Sequence, residues 1–170
     1  LNLNNKNFNI EFGKSKIEGG EFSRLSLRRA VEFLKNSMID GLVTGPINKN
    51  NIQNSDFDFK GHTDFLDTYF NGDALMFMIS SKIKIALLTE HVPINKVVDQ
   101  ITTELIKNRV QLVENSLKND FMIKKPKIAI LSINPHVGDG GVIGEDDGVI
   151  LIPTIQEISK SGIDISGPYA

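Results

Sequence analysis

Cysteine is absent from the 170 residues. That removes thiolate catalysis, cysteine-ligated zinc, iron–sulfur clusters and disulfide staples from consideration. An excess of positive charge is missing too: 19 Lys and Arg stand against 21 Asp and Glu, for a formal net charge of −2. The basic stripe with which a nucleic-acid binder displaces counterions is therefore not to be expected. No apolar run is long enough to cross a bilayer, and no charged-then-apolar leader opens the chain. These absences predict a cytoplasmic protein that engages neither nucleic acid nor membrane. What is present is ordinary globular material: 40% hydrophobic and 24% charged residues argue against wholesale disorder. A chain of 18.8 kDa suits one compact domain or one and a half small ones. It can bury about two-thirds of its unfolded surface without a covalent staple. The first residue is Leu1 rather than Met, and Ser166-Gly167-Pro168-Tyr169 reads as a turn leading onward. Both ends suggest a piece of a longer protein.

Along the chain, Phe8, Ile10 and Phe12 alternate as in an edge strand. From about Ser23 the spacing of Leu27, Ala30, Val31, Leu34 and Met38 predicts a helix with one apolar face. Gly41-Leu42-Val43-Thr44 reads as a buried strand ended by Gly45-Pro46. Helical spacing resumes near Thr63 and breaks at Asn71-Gly72. Two apolar runs, 74–79 and 83–88, flank Ser80-Ser81-Lys82 and predict an antiparallel pair. Ile106, Val110, Val113 and Leu117 mark a helix from about Thr102, with Glu104 near its positive end. Pro126 introduces a strand over 127–131, and a glycine-dense loop follows. A last helix starts near Pro153 and stops at Gly162. Periodicity leaves Val149-Ile150-Leu151-Ile152 open between strand and helix. Strands alternating with helices predict an α/β fold with a mixed, mostly parallel sheet flanked by helices.

The chain has three histidines, His62, His91 and His136, each where an apolar segment meets a loop or a new element. In open α/β sheets ligands bind beyond the carboxyl ends of strands, and His91 and His136 follow two such ends. Imidazole is a common ligand of divalent cations and, without cysteine, the softest available here. Two strand-end histidines could hold one cation; each could equally be a hydrogen-bonded surface residue. Lys49, in Gly45-Pro46-Ile47-Asn48-Lys49, could contact a phosphate or carboxylate as a point charge, or simply be solvated. Gly138-Asp139-Gly140-Gly141 could cradle a phosphate with backbone N–H groups but fits neither the dinucleotide fingerprint nor the P-loop pattern. Glu145-Asp146-Asp147 reads as a solvated helix start, with a metal role the less favoured alternative.

Five segments carry a resemblance: Val43-Thr44-Gly45-Pro46-Ile47-Asn48-Lys49, Gly61-His62-Thr63-Asp64-Phe65-Leu66, Ala86-Leu87-Leu88-Thr89-Glu90-His91-Val92-Pro93, Asn134-Pro135-His136-Val137-Gly138-Asp139-Gly140-Gly141 and Gly162-Ile163-Asp164-Ile165-Ser166-Gly167-Pro168. In this order and spacing the sequence resembles the 4-hydroxythreonine-4-phosphate dehydrogenase family of pyridoxal phosphate (vitamin B6) biosynthesis. The resemblance implies a fold similar to the isocitrate and isopropylmalate dehydrogenases. It also implies NAD-dependent oxidation of the substrate's secondary alcohol, followed by loss of CO2 to give 3-amino-2-oxopropyl phosphate. By the family pattern His62 and Thr63 bind substrate, while His91 and His136 bind a divalent metal of the zinc, magnesium or cobalt type. The family acts as a homodimer with a shared active site. The resemblance places residues 1–40 as a remnant of the N-terminal region and 41–170 as a central α/β portion carrying the substrate and metal motifs. The resemblance places a third metal histidine, further substrate contacts and much of the NAD site beyond residue 170, so the isolated chain is expected not to turn over. Three alternatives remain open: a dehydrogenase of a related four-carbon sugar-acid phosphate, a zinc hydrolase on an unrelated α/β domain, and a non-catalytic module.

Overall fold

The computed structural model describes residues 11–54, 56–71 and 73–170, which pack as two compact units, Leu1–Ala74 and Leu75–Ala170. Phe8 and Ile10 of the expected edge strand lie outside the described residues. Among the described residues no helix is long and apolar enough to cross a membrane.

The first unit is helical. Helix α1 (Ile17–Lys35) begins six residues before its apolar periodicity does, because Gly19-Gly20 carries no apolar signal yet lies within it. Gly20 is there for space: a Cβ built on it would lie 2.0 Å from the Asn51 carbonyl oxygen. That close approach lets the short helix α2 (Lys49–Ile52) pack on α1, with Asn51 Nδ2 donating to the Lys16 carbonyl at 2.6 Å. Asn48 caps α2 by accepting from the backbone N–H groups of Asn50 and Asn51. Leu27 and Val31 of α1 meet Ile52, Phe57 and Phe65, the last from helix α3 (His62–Asp67). The Phe57 and Phe65 rings stack with centroids 5.0 Å apart, and Phe59 meets both edge-on.

Gly41-Leu42-Val43-Thr44 is not the buried strand its composition predicts: these residues join no ladder, and Val43 is 98% exposed. A strand needs a neighbour to satisfy its N–H and C=O groups, and the described residues of this unit form no strand to offer one. Lys49 accordingly opens α2 instead of following a strand end.

The second unit is α/β. Strands β1 (Phe77–Ile79) and β2 (Lys84–Ala86) pair antiparallel around Ser80-Ser81-Lys82, as the two apolar runs predict, over three residues each. Beyond β2 the chain makes a short helix, α4 (Val97–Gln100), and then α5 (Thr103–Asn119). Thr102 caps α5 with its hydroxyl on the Leu105 N–H at 3.1 Å, and Ile106, Val110 and Leu117 are buried on its apolar face. Strand β3 (Ile128–Leu131) pairs in parallel with β4 (Ile165–Tyr169) through the crossover helix α6 (Ile152–Lys160). The segment read as a closing turn is thus largely strand. The undecided run 149–152 is helical, and a π-type turn, Asp147–Leu151, feeds into α6. Ile106, Val110, Ile130, Leu151, Ile155, Ile158 and Ile165 form the core where α5 and α6 meet the parallel pair. Both kinds of strand pairing occur, as expected, but among the described residues as two separate two-stranded sheets.

Candidate functional site

The first unit brings three of the sequence-predicted residues together. His62 and Thr63 are the first two residues of α3, both half-buried, entered through the buried Gly61. A Cβ on Gly61 would lie 3.7 Å from Lys49 Cε and 3.9 Å from its Nζ. The lysine ammonium therefore reaches the residue preceding His62, so one cation, one imidazole and one hydroxyl share the start of α3. A cleft of about 250 Å³ in this unit, lined by residues that include Glu11, Lys14, Lys16, Gly20, Asn48 and Asn51, contains none of the three. Lys14 and Lys16 both bond the Glu11 carboxylate there and hold it below its ordinary range.

The second unit carries the other two histidines. Each lies five residues beyond a strand, His91 after Ala86 of β2 and His136 after Leu131 of β3. Both are exposed and both have left-handed backbone, with φ of 56° and 54°. Such a conformation costs an L-residue roughly 1–2 kcal/mol. It persists only where the surroundings dictate it, and it clusters at functional positions. Around His136 the effect is sustained, since φ is positive from His136 to Gly140, including the β-branched Val137 at 57°.

Two anchors, neither of them singled out by periodicity or motif, hold these segments. The Glu90 carboxylate lies 3.7 Å from the Arg109 guanidinium of α5, which ties the residue before His91 to the helix. The other Glu90 oxygen is buried and has no hydrogen-bond partner among the described residues. The second anchor is Asp147, which is 0% exposed and so corrects the solvated helix start expected at Glu145-Asp146-Asp147. Its carboxylate accepts from the backbone N–H groups of Ile133 and Asn134, both at 2.8 Å, and from Asn134 Nδ2 at 3.1 Å. Removing it would leave two backbone donors without an acceptor, at about 1–3 kcal/mol each. The glycines thought able to cradle a phosphate partly serve packing instead. Gly138, at φ +76°, is buried where a Cβ would lie 2.1 Å from the Gly144 carbonyl oxygen.

Each of these two histidines carries donor chemistry suited to a divalent cation. No hydrogen bond or ion pair engages either imidazole among the described residues, so their nitrogens are available for ligation. Among the described residues no three His, Asp or Glu side chains are grouped as a ligand set, so the remaining ligands would have to come from elsewhere.

Comparison with known proteins bears on what this arrangement serves. The 4-hydroxythreonine-4-phosphate dehydrogenase of Bacteroides thetaiotaomicron is 39% identical over 172 residues, an alignment covering all of this chain and 47% of that protein. The protein of the same name from Sulfurihydrogenibium sp. is 38% identical over 169 residues, covering 99% of this chain and 52% of its own length. The chain thus spans about half the length of the curated relatives it matches. A crystal structure of the Klebsiella pneumoniae 4-hydroxythreonine-4-phosphate dehydrogenase superposes with a TM-score of 0.81 at 23% identity, over 94% of this chain and 48% of that one. That likeness bears out the expected α/β fold of the isocitrate dehydrogenase type. The family model of the pyridoxal phosphate biosynthetic protein PdxA matches residues 1–170, and the chain belongs to the PdxA family.

Proposed function

We propose that this chain is the substrate- and metal-binding portion of a cytoplasmic, homodimeric 4-hydroxythreonine-4-phosphate dehydrogenase. The enzyme oxidises the secondary alcohol of its substrate with NAD and releases CO2, giving 3-amino-2-oxopropyl phosphate. Family membership supports the reaction. The observation that carries the residue assignment is the pair of strand-end histidines, His91 and His136, both in strained left-handed backbone with unengaged rings.

In this reading His62 and Thr63 bind the substrate at the start of α3, and Lys49 sets a positive point charge against its phosphate or carboxylate. His91 and His136 would each donate one imidazole nitrogen to a divalent cation, which when bound supplies the charge that favours deprotonation of the hydroxyl and stabilises the anion left by CO2 loss. Redox capacity belongs to NAD, for which these residues provide no recognisable fingerprint. The protein's own contribution is to orient the carbinol carbon and keep it in register with its hydride acceptor.

The test is NAD reduction, followed by absorbance, with 4-hydroxythreonine-4-phosphate and a divalent metal. Family-length protein containing this sequence should produce NADH, and produce it faster than with related four-carbon sugar-acid phosphates. The isolated 170 residues should not turn over. Steady NADH from the isolated chain would refute the division of the site, and preference for a sugar-acid phosphate would refute the substrate. Replacing Lys49 with Ala should raise KM about tenfold, the worth of one hydrogen bond to a charged group, with kcat little changed. An unaltered KM would remove Lys49 from the substrate site.

A further inference from the structure

We infer that Asp147 is a positioning residue: its buried carboxylate sets the course of the loop after β3 and so presents the His136 ring to a divalent cation. The inference rests on the reading of His136 as a metal ligand and asks what holds that ligand in place. Ligating histidines depend on groups that do not themselves touch the metal, and losing one such support typically weakens metal binding ten- to a hundredfold.

The support begins in the core. Asp147 opens the π-type turn that ends at Leu151, and both residues are fully buried. From that fixed base the two carboxylate oxygens reach successive amides, Oδ1 accepting from Ile133 and Oδ2 from Asn134. Oδ2 also accepts from Asn134 Nδ2, which bonds Asp146 Oδ2 at 3.1 Å as well. Pro135 comes next, with φ restricted by its ring, so the direction in which the backbone enters His136 is set by two amides and a proline.

The far side of the loop closes on the same elements. The Ile143 N–H donates to the Gly138 carbonyl at 3.0 Å, and that of Val142 to the Asp139 carbonyl at 3.3 Å. Gly144 passes so near Asn134 that a Cβ there would lie 2.5 Å from Asn134 Oδ1. His136 is thus held between the Asp147 clamp and this closure, and its unfavourable φ is imposed by both. The Glu90–Arg109 pair beside His91 is a longer-range counterpart, with a 3.7 Å approach.

The experiment uses family-length protein containing this sequence and two substitutions in it. Asp147→Asn keeps the shape but points an NH2 at a backbone donor, whereas Asn134→Ala removes only the side-chain links and keeps both backbone bonds. Zn2+ is titrated while the ring resonances of His62, His91 and His136 are followed by NMR, and the 13C shifts of residues 136–139 report the left-handed run without metal. In the parent, Zn2+ should move the His91 and His136 rings and leave His62 in place. In Asp147→Asn the left-handed shifts should be lost, and half-saturation at His136 should need ten- to a hundredfold more Zn2+; Asn134→Ala should need at least threefold more.

A folded Asp147→Asn variant that melts lower but keeps its 136–139 shifts and its Zn2+ requirement within twofold of the parent overturns the inference and leaves the metal reading standing. If Asp147→Asn does not fold, Asn134→Ala decides, and a requirement within twofold of the parent overturns the inference. If Zn2+ moves neither His91 nor His136 in the family-length parent, where the ligands expected beyond residue 170 are present, the metal reading and the inference fall together.

Discussion

Replacing His136 with Ala in family-length protein is expected to lower kcat about a thousandfold and to reduce bound divalent metal at equal total metal. The size follows from what the ligand supports. A cation that polarises the reacting oxygen contributes several kcal/mol to the transition state. Each 1.36 kcal/mol is a factor of ten in rate, so losing about 4 kcal/mol costs about three orders of magnitude. His91→Ala should behave alike, because both imidazoles are assigned to one cation. The substrate residues should respond differently: His62→Ala removes a contact made before the chemical step and should appear mainly in KM. Metal content measured beside steady-state kinetics separates the cases. Full metal occupancy and near-normal turnover in His136→Ala would show that this ring is an exposed loop residue and would dissolve the proposed cation pair.

The second large effect is on stability. Gly20→Ala should destabilise the protein even though it replaces glycine with the best helix former. Taken alone, the change in a helix interior favours folding by about 0.5–1 kcal/mol. Here the added methyl would lie 2.0 Å from the Asn51 carbonyl oxygen and 2.7 Å from its carbon, both backbone atoms that no rotamer change can move. Asn51 is tied in turn by its side chain to the Lys16 carbonyl, so α2 cannot retreat from α1 without losing that bond. Forcing a methyl into packed structure costs about 1–3 kcal/mol, and at this separation the upper end applies, so the clash outweighs the propensity. Equilibrium denaturation of parent and variant checks the sign. A variant as stable as the parent would mean that α1 and α2 do not meet at Gly20.

The helices and strand pairs that repeat a strong local pattern were open to inspection in the linear chain. The stripe on α5 needs only 3.6-residue periodicity and a Thr cap. The antiparallel pair needs only two apolar runs around a short polar turn. The three histidines stood out because each stands where an apolar segment meets a loop or a new element, a feature of order along the chain that survives folding. What local pattern could not supply was any property that depends on a distant neighbour. Gly19-Gly20 conceals the true start of α1, since its reason for being there is Asn51, some thirty residues on. Gly41-Leu42-Val43-Thr44 has strand composition, yet composition cannot provide the second strand that a ladder requires.

Asp147 shows the same limit at the candidate site. Beside Glu145 and Asp146 it looks like one more solvated acid, and only the fold turns it inward to the amides of Ile133 and Asn134. The order of residues therefore set which side chains could do chemistry: three imidazoles, one lysine and no thiol. Folding set which of them are held, because burial, close approach and left-handed backbone arise from contacts between segments far apart in the chain and have no signature within either segment alone.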